Sequence, residues 1–272
     1  MFSSDFDQVF SVGAEPGNSG FTGLNILRGL VEGIDDFIAE REARWRRFRA
    51  GPAMLACAPW VDDEELLARI SRMATCVVMT KHPRTKRELE KQALLREVNE
   101  SATGFREDVL PALGGMARKV DGKPLVVGPG TPLGEGVIDT IRTLGYRKGN
   151  KPVPLVHAKL ALLGHLWWSD EGPLGRVEDV FGFPPLRLWI SSGNFTRSSR
   201  RNLEFGCWTE NSALLQAARQ FLEALISTSE DLDSASDVPD PEFAPFEFDD
   251  EAMAAYAAEM MSDEDSDGED LA

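Results

Sequence analysis

Short apolar runs alternate with segments of helical periodicity along most of the chain, and this alternation constrains the fold more than any other feature. The apolar runs have the length of buried strands and cover residues 54–60, 75–80, 124–127, 154–168, 186–191 and 202–209. Helical patterns cover residues 24–49, 84–99, 105–119, 134–144 and 214–225. Strands that alternate with helices indicate an α/β fold, and the late run of strands is typical of a mixed β-sheet flanked by helices.

The acidic residues are distributed unevenly, although the formal net charge is −16. Seventeen of the 45 Asp and Glu residues lie from Glu230 onward, where the sequence has no Lys or Arg. The preceding part holds 28 acidic and 29 basic side chains, so its charge does not exclude a nucleic-acid substrate. The acidic end has too few apolar residues to offset its ordering entropy. We therefore expect a flexible lead-in over residues 1–20, a folded domain over 21–228 and a disordered acidic tail over 229–272.

The cysteines and the N-terminal residues bear on the cellular compartment. Cys57, Cys76 and Cys207 lie far apart and lack the paired spacing of a metal site. Residues 1–10 have no basic start followed by an apolar stretch, so no secretory signal is predicted. No apolar run has the length that a bilayer requires. The sequence thus predicts a cytoplasmic protein with reduced cysteines and no membrane association.

Two short segments and one later carboxylate carry the residues that indicate chemistry. His157 and Lys159 are two apart in a strand-like segment, a spacing that points an imidazole and an ammonium into one pocket. Ser192 and Asn194 flank a glycine at the end of the next strand, where such a turn can aim hydrogen-bond donors at an oxyanion. Glu204 follows on another strand, and a carboxylate there can orient an imidazole by accepting its ring N–H.

This set of side chains fits the cleavage of a phosphodiester. The diester is anionic, so an enzyme needs a positive clamp on the non-bridging oxygens, a nucleophile and an acid for the leaving oxygen. Lys159, Ser192 and Asn194 can form the clamp. Histidines have an ordinary pKa of about 6.5, so a neutral imidazole such as that of His157 can attack at neutral pH. The acid must be a second group, and a second histidine is the natural candidate.

The order and spacing of these residues resemble the motif of the phospholipase D superfamily. The residues that carry the resemblance are His157, Lys159, Ser192, Gly193, Asn194, Asn202 and Glu204. The resemblance implies a phospholipase D-like catalytic domain over residues 21–228, a covalent phosphohistidine at His157 and no need for a metal ion or another cofactor. It assigns catalytic roles to His157, Lys159, Ser192, Asn194 and Glu204.

The sequence departs from the family pattern in two respects. The aspartate expected five residues after the lysine is replaced by Gly164. Family members use two copies of the motif per active site, whereas this chain has one, because neither His82 nor His165 has a lysine two residues on. The resemblance therefore implies a homodimer in which His157 and Lys159 of both subunits face each other across a two-fold axis.

Basic residues after the turn at residues 192–194 are candidates for binding the phosphates of a substrate, namely Arg197, Arg200 and Arg201. Together with the absence of a membrane-binding stretch, they favour a nuclease acting on DNA or RNA. Two alternatives stay open: a lipid phosphodiesterase, and a catalytically weakened nucleic-acid-binding subunit of a multiprotein system such as a defence system. The acidic tail is a candidate for binding basic partner proteins or for shielding the active-site groove.

Overall fold

Helices and strands alternate along the computed structural model, which describes residues 7–12, 17–44, 51–82, 86–131, 136–146, 155–169, 180–234, 236 and 238–266. The α-helices are α1 (Leu27–Arg44), α2 (Glu64–Ile70), α3 (Lys86–Ser101), α4 (Ser212–Ser227) and α5 (Asp250–Ser266). The strands are β1 (Gln8–Ser11), β2 (Ser19–Leu24), β3 (Gly51–Ala58), β4 (Ala74–Lys81), β5 (Phe105–Arg106), β6 (Met116–Arg118), β7 (Val126–Val127), β8 (Val137–Ile138), β9 (Ile141–Tyr146), β10 (Leu160–Ser169), β11 (Val180–Gly182), β12 (Pro185–Ser191), β13 (Leu203–Thr209), β14 (Glu230–Asp231), β15 (Phe243–Pro245) and β16 (Glu247–Phe248). Within these ranges, no helix is both long and apolar enough to cross a membrane.

A ten-stranded sheet organises the fold, and its strand order is β1-β2-β13-β12-β10-β3-β4-β9-β14, with β11 paired to β10. β3, β4 and β9 run parallel to one another. The other neighbours in this sheet pair antiparallel. The sheet is therefore mixed, and the predicted α/β architecture with a mixed sheet is confirmed.

Both faces of the central strands are buried, and successive residues alternate between two apolar clusters. In β3, Met54 and Ala56 face one cluster, whereas Leu55 and Cys57 face the other. Helices α1, α2 and α3 pack into the first cluster, and α4 packs into the second. This alternation follows from the two-residue period of a strand, and it explains why the strands read as continuous apolar runs.

Two segments with helical spacing form other structures. The predicted helix over residues 134–144 is wrong for the part described, because β8 and β9 occupy it. Of the three residues expected inside this helix, Ile138 and Ile141 are buried, whereas Val137 is 50% exposed. The segment is rich in β-branched residues, which favour strands: Val137, Ile138, Thr140, Ile141 and Thr143. Residues 105–119 form two short strands and two 3-10 helices, Glu107–Val109 and Pro111–Leu113, instead of an α-helix. In the expected lead-in, β1 pairs antiparallel with β2.

Part of the expected acidic tail packs onto the folded domain. Glu230 is 2% exposed and its carboxylate accepts a hydrogen bond from Lys81 Nζ at 2.5 Å. Phe243 is equally buried, in β15, which pairs with β6. The boundary placed at residue 228 is therefore not the end of the folded chain. The number of charges in this segment does not predict its packing, because it does not reveal that a carboxylate forms an ion pair with a buried cation. Residues 267–272 lie outside the described residues.

Candidate active site

Several strands of the large sheet begin or end at one edge, which holds the residues singled out in the sequence. β3 and β4 run parallel and both end there. β10 begins at the same edge, because Leu160 pairs with Cys57 near the end of β3. β12 ends beside it, where the backbone N–H of Ser191 donates to the Lys159 carbonyl at 3.1 Å. The segment before β10 and the turn after β12 are therefore neighbours.

His157 and Lys159 lie in the extended segment directly before β10. Lys159 Nζ is 3.4 Å from His157 Nδ1, so the side chains share one side of the chain, as their spacing predicts. Val156, which precedes His157, is buried, whereas the His157 side chain is exposed. A phosphate that reaches the imidazole of His157 therefore also lies within reach of the ammonium group of Lys159.

Ser192 and Glu204 form a hydrogen-bonded pair at the ends of β12 and β13. The Ser192 hydroxyl donates to Glu204 Oε2 at 2.5 Å and accepts the backbone N–H of Phe205 at 2.9 Å. Glu204, predicted to orient an imidazole, thus accepts the proton of a hydroxyl in this structure. Ser192, predicted to donate to an oxyanion, has to break its bond to Glu204 before it can do so.

Asn194 completes the turn and faces a cavity of about 500 Å³. Its Oδ1 is buried and has no hydrogen-bond partner among the residues that the structure describes. Since a rotation of the amide exchanges its oxygen and nitrogen, this position can present either an acceptor or an N–H donor to a ligand. The residues that line the cavity are Pro59, Thr80, His82, Leu155, Val156, His157, Lys159, Ser192, Asn194, Ser198, Ser199, Asn202 and Glu204. All five predicted catalytic residues therefore surround one space.

The predicted substrate-binding arginines lie on the 3-10 helix Arg197–Arg201, whose serines reach the cavity. Arg200 makes two hydrogen bonds to Asp63, at 2.5 and 2.8 Å, and Arg197 pairs with Glu64. Burial acts to raise the pKa of Asp63, but the hydrogen bonds from Arg200 and from the backbone of α2, together with the charge of Arg200, hold it below its ordinary value. Arg200 and Arg197 thus tie the site to the start of α2. The Arg197 side chain is nevertheless 65% exposed, and Arg201 is exposed as well.

His82 follows β4 and lines the same cavity, a position that its sequence context did not reveal. His82 lacks the lysine two residues later that the motif requires, so the motif does not identify it as a site residue. The only available signal was its position directly after a buried apolar strand, an end where ligands bind in open α/β sheets. His165 is 6% exposed and its ring stacks on Phe37 with 4.9 Å between centroids, so it is a packed residue away from the cavity lining.

Gly164 stands where the family pattern has its aspartate, and the surrounding chain leaves no room for a side chain. A Cβ atom at this position would lie 2.5 Å from the carbonyl oxygen of Pro184 and 2.6 Å from the ring of Phe183. The pairing of β10 with β12 also shifts register between Leu163 and Gly164. The departure from the family pattern is therefore built into the packing of this part of the sheet.

The cysteines are all free thiols, as their spacing predicts. Burial raises the pKa of both Cys57 and Cys76 to about 12, so these thiols stay protonated and unreactive at neutral pH. Among the residues that the structure describes, no group of three or more His, Cys, Asp or Glu side chains is placed to hold a metal ion.

Comparisons with known proteins give similarity at the level of structure. No protein-family model matches the sequence, and a search of curated proteins found no match. The chain is similar to NucT from Helicobacter pylori, with 9% identity and a TM-score of 0.40 over 78% of this chain and 96% of NucT. It is also similar to Nuc from Salmonella typhimurium, a phospholipase D family member, with 13% identity and a TM-score of 0.41 over 80% of this chain and 99% of Nuc. A third similarity is to polyphosphate kinase from Porphyromonas gingivalis, with 15% identity and a TM-score of 0.37 over 76% of this chain and 25% of the kinase.

Proposed function

We propose that the protein is a metal-independent phosphodiesterase that cleaves its substrate through a covalent phosphohistidine at His157. The observation that carries this proposal is the cavity shared by His157, Lys159, Ser192, Asn194 and Glu204. A nucleophile and a cation 3.4 Å apart, with amide and hydroxyl groups opposite them, match the needs of an anionic phosphorus centre.

His157 acts as the nucleophile and Lys159 as the principal charge in the clamp. A ring nitrogen of His157 attacks phosphorus while the ammonium of Lys159 and the amide of Asn194 stabilise the non-bridging oxygens. Glu204 fixes the Ser192 hydroxyl and, through it, the backbone of Phe205. The turn that carries Asn194 is thereby fixed against the start of β13.

The substrate class that we propose is nucleic acid, either DNA or RNA. The cavity lies on an edge of the sheet beside the exposed Arg201, which can contact a neighbouring backbone phosphate. The part of the chain before Glu230 carries no excess of negative charge that would repel a polyanion. A lipid phosphodiesterase is the second candidate, because Leu155 lines the cavity and is 40% exposed.

A second imidazole is needed to protonate the leaving oxygen. The family resemblance supplies it from His157 of a second copy, in a homodimer that would unite two cavities. Light scattering on the purified protein measures this directly, because a monomer that retains activity contradicts a shared site. The cavity itself holds a second imidazole, that of His82.

The test of the function is a cleavage assay in EDTA with plasmid DNA, RNA and a phospholipid as separate substrates. We expect wild type to cut nucleic acid, and His157→Asn to lose at least about 1,000-fold in rate while its circular dichroism stays unchanged. Wild type quenched in alkaline denaturant, which preserves a phosphorus–nitrogen bond, should also carry a labelled phosphoryl group that is absent from the variant. Binding of DNA without cleavage of any of the three substrates would instead identify a catalytically weakened binding subunit.

A further inference from the structure

We propose that His82 is the proton donor of this site, so that one chain holds both imidazoles of the reaction. This inference rests on the proposed phosphodiesterase function and concerns only the source of the proton. It assigns a catalytic role to a residue that lies outside the family motif.

The fold places His82 at the cavity that also holds His157. His82 and His157 line one cavity, although 74 residues separate them in the sequence. The chain segments that hold them are joined, because the Thr80 hydroxyl donates to the Val156 carbonyl at 3.0 Å and both groups are buried. Thr80 lies two residues before His82 in the sequence, and Val156 lies one residue before His157. The two imidazoles therefore stand on strand ends that cannot separate without breaking a buried hydrogen bond.

Neighbouring residues fix the direction of the His82 side chain. Lys81 points into the protein, where its ammonium binds the carboxylate of Glu230 at 2.5 Å. Since successive residues of an extended chain point to opposite sides, His82 is turned away from that ion pair and toward the cavity. The ring of Trp60 meets the His82 ring edge-on, with centroids 4.4 Å apart.

A carbonyl group beside the ring suits an imidazole that carries a proton. His82 Nε2 lies 3.5 Å from the Pro59 carbonyl oxygen, which can accept an N–H but cannot donate one. The contact with Pro59 involves one ring nitrogen, and the ring itself lines the cavity that would hold the leaving oxygen. Trp60 is itself held by its indole N–H, which donates to Asp62 at 3.1 Å.

The other polar groups of the cavity are less suited to donate this proton. Glu204 already accepts the hydrogen bond of the Ser192 hydroxyl and fixes the turn through it. Lys159 is needed as a charge on the non-bridging oxygens throughout the reaction. Histidine is the side chain that both gives and takes a proton near neutral pH. His82 is therefore the cavity residue best suited to the role.

The reaction balances with these two residues and water. A ring nitrogen of His157 forms a bond to phosphorus, the bond from phosphorus to the leaving oxygen breaks, and protonated His82 gives its proton to that oxygen. Neutral His82 then takes a proton from water as the water oxygen attacks phosphorus. The phosphorus–nitrogen bond breaks, the electron pair returns to His157, and His82 is protonated again. The products are an alcohol and a phosphate monoester.

The experiment compares two oligonucleotides that differ at one bridging atom. One is the natural substrate cut by wild type in EDTA, and in the other the departing bridging oxygen is sulfur, which leaves as a thiolate without a proton. Single-turnover rates are measured for wild type, His82→Asn, His82→Ala and His157→Asn. Thermal unfolding of each variant, followed by circular dichroism, confirms which of them are folded at the assay temperature.

We expect the two His82 variants to lose at least about 100-fold on the oxygen substrate and less than about 10-fold on the sulfur substrate. His157→Asn should be inactive on both. Equal losses of the His82 variants on the two substrates, or no loss on either, would overturn the proton-donor role while leaving the nucleophile in place. Inactivity of wild type on both would instead overturn the proposed function.

Mixtures of wild type and His157→Asn subunits, unfolded together and refolded, separate His82 from a histidine supplied by a second copy. If each chain holds its own donor, activity falls in proportion to the fraction of wild-type chains. If two His157 residues are required, activity falls with the square of that fraction, and this result would also overturn the inference.

Discussion

The Ser192 hydroxyl stands between two groups, donating to Glu204 Oε2 at 2.5 Å and accepting the Phe205 N–H at 2.9 Å. The Ser192 backbone N–H also donates a hydrogen bond of 2.8 Å to the Phe205 carbonyl. The start of β13 is thereby locked to the turn that carries Asn194.

Glu204→Gln should slow cleavage by about 10- to 100-fold without loss of stability, because the amide is a weaker acceptor and the turn loses its fixed position. Ser192→Ala should have a similar effect. The double variant should be no slower than the slower single variant, since both act through one hydrogen bond. Single-turnover rates of the three variants measure this coupling, and losses that multiply in the double variant would show that the two residues act separately.

An aspartate at residue 164, as in the motif that the sequence resembles, should destabilise the protein instead of activating it. Gly164→Asp places a carboxylate against the Pro184 carbonyl and the Phe183 ring, and Gly164→Ala already introduces the clashing Cβ. We expect a loss of about 1–3 kcal/mol for alanine and a larger loss for aspartate, measured by urea unfolding. Gly128→Ala is the matched control, because its Cβ would meet no atom within 4 Å. Unchanged stability of Gly164→Ala would contradict the packing described.

Shortening the acidic end should give two different results, depending on where the chain stops. Removal of residues 250–272 takes away α5, whose described side chains are mostly exposed, and should change the free energy of unfolding by less than about 0.5 kcal/mol. Removal of residues 230–272 takes Glu230 and Ser234 away from the Lys81 ammonium and should cost at least about 3–5 kcal/mol.

Lys81→Met is the control for the longer deletion. In the chain that ends at residue 229, methionine removes the uncompensated charge and should recover part of the lost stability. In the full chain the same change leaves the buried Glu230 carboxylate without its cation and should destabilise. Urea midpoints for the four proteins test the assignment, and equal effects of Lys81→Met in both chains would refute it.

Asp63 should make the protein sensitive to acid. Its pKa in the folded state is held below its ordinary value by Arg200 and the N-terminal N–H of α2, against the opposing effect of burial. Because the folded pKa is the lower one, the stabilisation is complete above about pH 4, the unfolded value, and is lost as pH falls through the folded pKa.

Asp63→Asn isolates this electrostatic contribution, since asparagine caps a helix about as well as aspartate. We expect a loss of about 1–3 kcal/mol at pH 7 that shrinks at pH 3, whereas Asp63→Ala should lose about 1 kcal/mol more because the cap is also gone. Urea unfolding at both pH values measures the difference. A loss of the same size at pH 7 and pH 3 would show that the charge of Asp63 is not its cause.

The central strands were predictable because burial on both faces leaves a continuous apolar run, as in residues 54–58 and 75–79. The two-residue spacing of His157 and Lys159 likewise predicted their proximity, which is a local property of extended chain. The strand β9 escaped prediction because its apolar residues also fit a helical spacing. The segment forms a strand because it pairs with β4, which lies far away in the sequence.

The remaining features depend on contacts between distant segments. His82 shares the cavity only because β4 and the segment before β10 end at the same edge. Glu230 is ordered by Lys81, 149 residues away. Neither contact can be predicted from the periodicity or the composition of the sequence. The roles of the cavity residues stay predictions until the variants are assayed.

The crowding around Gly164 also has an evolutionary consequence. A codon change to aspartate at this position is blocked unless the ring of Phe183 has first become smaller or the chain at Pro184 has taken another path. The three positions are thus expected to change together in chains that share this packing, with glycine accompanied by a bulky partner and aspartate by a small one. Exchange of glycine for aspartate at residue 164 therefore requires several substitutions, and we expect the intermediates to fold poorly.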